Sequence, residues 1–233
     1  MILNVFKEKE WTSFDVVAKI RGILRSRLPT SEKRRLKVGH AGTLDPLAKG
    51  VLLVLTGKDT KKQQELMELE KEYVCEICFG AISPTYDLEG DLIYNKIPQD
   101  FILRDQLAKV LKNYLGEIEQ KVPPYSAVKR GGKVLYKEAR KGKLKDEDLP
   151  VKKVFIKDID LIDFYEKEGL PAVSIKVICG KGTYIRSLAH DLGRDLQVGA
   201  VLTNLVRTRV GSYTAEEALR IAEIEERVET LFI

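Results

Sequence analysis

A single carboxylate, Asp45, stands in the fourteen-residue run Gly39 to Leu52 (GHAGTLDPLAKGVL), just ahead of the apolar stretch Val51 to Leu55. Gly39 and Gly42 open backbone conformations closed to other residues, and Pro46 fixes one dihedral directly after the acid. A loop so constrained suits holding one side chain in a defined place. On pattern alone, an ordinary Asp-Pro turn before a strand is the commoner explanation. A second candidate is Cys75-x-x-Cys78, which has the spacing of a metal or redox pair. It lies in Tyr73 to Phe79 (YVCEICF), a β-forming run in which residues three apart point to opposite faces. The two thiols should therefore diverge, and with Cys179 they read as buried apolar cysteines of a reducing compartment. With only two histidines in the chain, no metal site is implied.

The elements that must position these groups follow from periodicity. A helix is expected from Thr12, which has capping-box spacing to Asp15 and an apolar stripe of Val16, Val17, Ile20, Ile23 and Leu24. Val51 to Leu55 and Tyr73 to Phe79 read as strands, separated by a charged helical stretch from Thr60 to Glu70. A second helix is expected over Leu103 to Leu115, with Leu103, Leu107, Val110, Leu111 and Tyr114 on one face and Gly116 as its stop. Val151 to Phe164 and Pro171 to Cys179 are further strand candidates. A helix should follow Thr183 to about Leu196, and Ala215 to Val228 is helix-like. Strands and helices without strict alternation favour an α+β fold with a mixed sheet.

From Val122 to Lys145 the chain is dense in Lys and Arg, with Pro123-Pro124 and Gly131-Gly132 as breakers and Tyr125 and Tyr136 interleaved. Such a stretch suits either a solvated face or a mobile arm against a phosphate backbone. The net charge of +5, from 40 basic and 35 acidic residues, permits a nucleic-acid partner without demanding one. There is no apolar run of membrane-spanning length and no signal-peptide pattern, so a soluble cytoplasmic protein is expected.

Several separated segments, in order, resemble the tRNA pseudouridine-55 synthases of the bacterial TruB family. They are the Asp45 loop; Lys71-Glu72-Tyr73 with Thr85, Asp87 and Gly90; the arm Pro123 to Arg140; GKGTYIRSLAHDLG from Gly180 to Gly193; and LVRTRVG from Leu205 to Gly211. The resemblance implies one catalytic domain over 1–233, with a mixed central sheet flanked by helices and a basic thumb-like arm at about 122–145. It implies isomerisation of uridine 55 in the T-arm loop of tRNA: the C1′–N1 bond breaks, the uracil turns, and C5 joins C1′. No atom is lost, so no cofactor, metal or obligate protein partner is implied. Asp45 matches the family's catalytic aspartate, Arg186 the arginine that pairs with it, and Tyr73 the tyrosine stacked on the target base. Leu205 matches the apolar residue closing the pocket, and His40 the histidine that fills space vacated in the T-loop. Lys61, Lys129, Arg130, Lys133, Arg140, Arg207 and Arg209 are the candidate phosphate contacts. The rival expectation is a tRNA-binding folding helper whose catalysis is incidental or lost.

Two departures from the family stand out. Where the family carries Lys-Pro-x-Gly before the first helix, this chain has Lys7-Glu8-Lys9-Glu10. The sequence given also ends at Ile233, where family members commonly continue into a small RNA-binding PUA domain, so that domain is expected to be absent.

Overall fold

The computed structural model describes residues 1–97 and 103–227. Its elements begin with β1 (Ile2–Lys7), α1 (Ser13–Arg27), α2 (Thr30–Lys33), β2 (Val38–Ala41), β3 (Lys49–Thr56), α3 (Gln63–Glu68) and β4 (Lys71–Phe79). Next come β5 (Ala81–Ile82), β6 (Ile93–Tyr94), α4 (Leu103–Leu111), β7 (Gly116–Lys121), β8 (Lys129–Arg130), β9 (Lys133–Val134) and α5 (Leu135–Ala139). The last are β10 (Val151–Lys167), β11 (Leu170–Cys179), α6 (Ile185–Asp195), β12 (Ala200–Val210), β13 (Tyr213–Thr214) and α7 (Ile221–Glu226). They gather into two compact units, one of Met1–Tyr73 with the chain from Val206 onward, the other of Val74–Leu205.

The first unit is built around β3. β1 pairs with it antiparallel from Ile2↔Leu55 to Lys7↔Gly50, and β2 pairs antiparallel from Val38↔Thr56 to Ala41↔Leu53. β12 joins β3 in parallel through Val206↔Lys49 and Arg207↔Gly50, so the pairing is mixed. Leu52 and Val54 pack among Leu3, Val5, Ile224 and the apolar stripe of α1, whereas Val51, Leu53 and Leu55 pack with Ala41, Leu66 and Val210. A strand buried on both faces reads as the unbroken apolar run seen here. Each of the Val, Leu and Ile side chains contributes roughly 1.5–3 kcal/mol of burial. The α1 start is as expected: Thr12 accepts from the Asp15 amide, Asp15 accepts from the Thr12 amide, and all five stripe residues are buried.

The expected helix over Ala215 to Val228 is shorter, Ile221–Glu226, and Val228 lies outside the described residues. Tertiary pairing overrides local propensity. Leu219 lies beside Val5 in a parallel bridge, its N–H bonding the Asn4 carbonyl and its carbonyl accepting from Phe6, so the segment before Ile221 is held extended.

The loop from Glu8 to Thr12 shows how the chain manages without the family's proline and glycine. Glu10, at the glycine position of Lys-Pro-x-Gly, takes φ +71°, the left-handed conformation that glycine would adopt freely. An L-residue there costs about 1 kcal/mol. Since the Glu10 side chain is exposed, Glu10→Gly should stabilise the protein by about 1 kcal/mol, a rise of a few degrees in Tm. A lower Tm in that variant would refute the assignment of strain.

In the second unit the strand order is β4-β11-β10-β7, and α6 buries Ile185, Leu188, Ala189 and Leu192. β10 and β11 form a long antiparallel hairpin. The predicted helix from Leu103 to Leu115 is α-helical to Leu111 and tightens to 3₁₀ over Lys112–Tyr114, with Leu107, Leu111 and Tyr114 buried. All three cysteines are buried. Burial, with Cys179 nearby, pushes the Cys75 thiol up, and Cys78 packs with Ala81, Ala172 and Val201. Among the described residues, no helix is long and apolar enough to cross a membrane.

The basic arm folds on itself. β8 and β9 pair across a two-residue turn in which Gly131 and Gly132 both have positive φ, +56° and +80°, as a tight hairpin requires. Hydrogen bonds from Leu135 N–H to Val128 O (2.9 Å) and Tyr136 N–H to Ser126 O (3.1 Å) carry the hairpin into α5, which buries Leu135. The architecture is the mixed α+β sheet flanked by helices, with an arm, that the sequence led us to expect.

Candidate active site

Asp45 is half-buried, and the backbone on both sides of it is fixed within the first unit. Ser13, at the head of α1, accepts from the Leu44 N–H (2.7 Å) and donates to the Leu44 carbonyl (2.9 Å). The Glu10 N–H donates to the Pro46 carbonyl (2.8 Å), and the Ala48 N–H closes a turn onto the Asp45 carbonyl (3.1 Å). The altered Glu8–Glu10 segment thus still braces the acid's loop. Lys7 is fully buried and donates to the carbonyls of Glu8 (3.0 Å) and Trp11 (2.6 Å). Burial drives its pKa down to about 8; Asp45 opposes that shift and Arg207 adds to it.

Arg207 corrects an expectation. It was a candidate phosphate contact, yet it is 1% exposed, and its guanidinium donates to the carbonyls of Val51 (2.7 Å), Gly42 (3.1 Å) and Thr43 (3.4 Å). A side chain so enclosed does not reach a phosphate. Arg209, the neighbouring candidate, is held by Glu70 (3.1 Å) and Glu72 (3.6 Å) and donates to Gly211 O (3.0 Å). Tyr73 is buried on β4. His40 sits on β2 with its carbonyl bonded by Gln63; burial, then the nearby Arg207, lower its pKa and favour the neutral ring. Lys61 is exposed in the 3₁₀ turn Gly57–Lys62.

The second unit holds the other candidates. Arg186, near the start of α6, is 5% exposed and donates to the carbonyls of Thr85 (3.0 Å) and Tyr125 (3.1 Å). Its Nε lies 3.5 Å from the carboxylate of Asp87, which is 1% exposed and accepts from the Thr85 hydroxyl (2.6 Å) and the Glu89 N–H (2.9 Å). Thr85 and Asp87 are motif residues to which sequence reasoning gave no role; both contact the Arg186 guanidinium. The Tyr125 contact also joins Arg186 to the root of the arm. Leu205 is buried on β12. His190, read from sequence as a packing or pairing residue, stacks on Tyr86 with ring centroids 3.9 Å apart.

Lys129, Arg130, Lys133 and Arg140 are all exposed on the arm. Arg130 is paired with Asp148 at 2.7 Å, and Arg140 lies over the Tyr136 ring at 5.5 Å. A cavity of about 270 Å³ opens between Pro84 and Tyr86 on one side and Pro124, Tyr125, Leu144 and Leu149 on the other. Among the described residues, no group of three or more His, Cys, Asp and Glu is placed to hold a metal ion.

Comparison with known proteins shows the family. The description "TruB family pseudouridylate synthase (N terminal domain)" matches residues 28–185, and "tRNA pseudouridylate synthase B C-terminal domain" matches 186–231. The tRNA pseudouridine synthase B of Bacteroides fragilis is 44% identical over 228 residues, covering 98% of this chain and 94% of the relative. The Lactococcus lactis enzyme of the same name is 38% identical over 231 residues, covering 98% of this chain and 67% of the relative. Among solved structures, a Cbf5-Nop10-Gar1 complex matches with TM-score 0.69 and 30% identity over 97% of this chain. This chain spans about half the length of that one, 54%. An H/ACA RNP bound to a substrate RNA matches with TM-score 0.66 and 26% identity, over 100% of this chain and 56% of the other. With the fold, the ordered motifs and a match over nearly its whole length, the chain belongs to the TruB family of pseudouridylate synthases.

Proposed function

We propose that this protein is a tRNA pseudouridine synthase that isomerises uridine 55 in the T-arm loop, with Asp45 as its reacting carboxylate. The observation that carries the reading is the near full-length match to tRNA pseudouridine synthase B relatives. The anchored geometry of the Asp45 loop supports it. In the reaction the C1′–N1 bond breaks, C5 bonds to C1′, and the C5 proton is exchanged for one on N1. A carboxylate must meet the detached sugar or base, whether by bonding to it or by stabilising its charge. Either route gains from a loop that does not need to reorganise.

Tyr73 offers a flat surface to the loosened uracil, and Arg186 supplies a guanidinium for the acid of the reaction. Leu205 closes the pocket, and neutral His40 occupies space in the opened RNA loop. The target base has to leave its stack to be reached. Lys61, Lys129, Arg130, Lys133, Arg140 and Arg209 are assigned to the phosphate backbone. Three buried thiols fit a reducing, cytoplasmic setting.

The test is pseudouridine mapping of a T-arm stem-loop and of full-length tRNA after incubation with the purified protein. Conversion of the T-loop uridine alone is the expected result. Tight binding of both RNAs without conversion would instead favour a tRNA-folding helper.

A further inference from the structure

We infer that Arg207 is a positioning residue for the reaction, clamping the Asp45 loop to β3, and that it makes no contact with RNA. The inference rests on the reading of Asp45 as the reacting carboxylate. Three observations carry it. The side chain is 1% exposed in a protein whose other candidate RNA cations lie at the surface or are only partly covered. Its three carbonyl partners fall on both flanks of Asp45: Gly42 and Thr43 before it, Val51 after it. Neither Arg207 nor the neighbouring buried Lys7 forms an ion pair among the described residues, so carbonyl oxygens take up their hydrogen bonds.

Only a guanidinium fits this task. Its planar fork of five donors can reach both ends of a loop at once, whereas an ammonium on a flexible stem acts as a point charge. Arg207 joins β3 through its backbone as well, opposite Gly50, so the clamp is rooted in the sheet at the point where the loop returns to it. Ser13 at Leu44 and the Glu10 amide at Pro46 secure the residues next to the acid, and Arg207 secures those farther out.

A phosphate contact and a clamp predict opposite kinetics. The experiment compares Arg207→Gln, Arg207→Lys and Ser13→Ala with the parent protein on a T-arm stem-loop. It measures kcat, KM, RNA affinity across a salt series, and Tm, at a temperature well below unfolding. For the clamp, Arg207→Gln lowers kcat by about 30-fold or more, while KM and RNA affinity stay within about two-fold and the salt slope is unchanged. Arg207→Lys recovers part of kcat, and Ser13→Ala, which alters no charge, lowers kcat by a smaller factor without weakening RNA binding. A normal kcat with weaker binding and a salt slope reduced by about one would make Arg207 a phosphate contact and overturn the inference. So would an unchanged kcat in a folded Arg207→Gln protein. If both Arg207 variants fail to fold, an unchanged kcat in Ser13→Ala overturns the clamp and a lowered one supports it. Failure of the underlying reading would look different: the parent protein would leave the T-loop uridine unmodified.

Discussion

Asp45→Asn should lower pseudouridine formation by roughly four orders of magnitude or more while leaving RNA affinity within about two-fold. The substitution is nearly isosteric, and the loop is held through the backbone of Leu44, Pro46 and Ala48, through Ser13, and through Arg207, none of which depends on the Asp45 charge. On the proposed reading, what is lost is the carboxylate that meets the detached sugar or base, and removing such a group collapses the chemical step rather than binding. Single-turnover conversion of the T-arm stem-loop and a filter-binding affinity measure the two sides. Normal turnover by Asp45→Asn would sink the mechanism, whatever the binding shows.

Gly50→Ala should be among the most destabilising single-methyl changes in the protein, costing about 4 kcal/mol or more. Gly50 sits at φ +110°, which an L side chain rarely adopts, and a Cβ there would lie 2.2 Å from the Arg207 carbonyl oxygen and 2.9 Å from its carbon. The obstacle is backbone, in the parallel pairing of β3 with β12, so neither partner can move aside without parting the strands. Changes of this size arise from strain and overpacking of this kind. The urea midpoint and the yield of folded protein report it; a midpoint equal to the parent's would contradict the close approach.

The sequence declared most of what positions the site. The Thr12–Asp15 cap, the α1 stripe and the VLLVL strand are local patterns with a local cause, and each stands where periodicity put it. The site residues divide differently. Arg186 and Asp45 were singled out through motif order, and the structure gives each a fixed surrounding within its own unit. Arg207 was misread because a basic residue carries no mark of burial, and its three acceptors are main-chain carbonyls 156 to 165 positions away. Glu10 hid its role for the opposite reason: what matters there is a dihedral and an amide, and neither is written in the side chain. The short final helix gave way to a pairing with β1 that only the tertiary fold reveals.

Strand β12 has a consequence for the order of events during synthesis. Arg207 follows Val51, its nearest carbonyl partner, by 156 residues. At translation rates of 5–20 residues per second, about 8–30 s separate the two. For that interval the growing chain carries the Asp45 loop without the Arg207 hydrogen bonds to Gly42, Thr43 and Val51, and β3 lacks its parallel neighbour at Lys49–Gly50. The hydrogen bonds across the Asp45 loop are thus completed only by one of the last strands to be made, and a chain that stalls within the second unit lacks them.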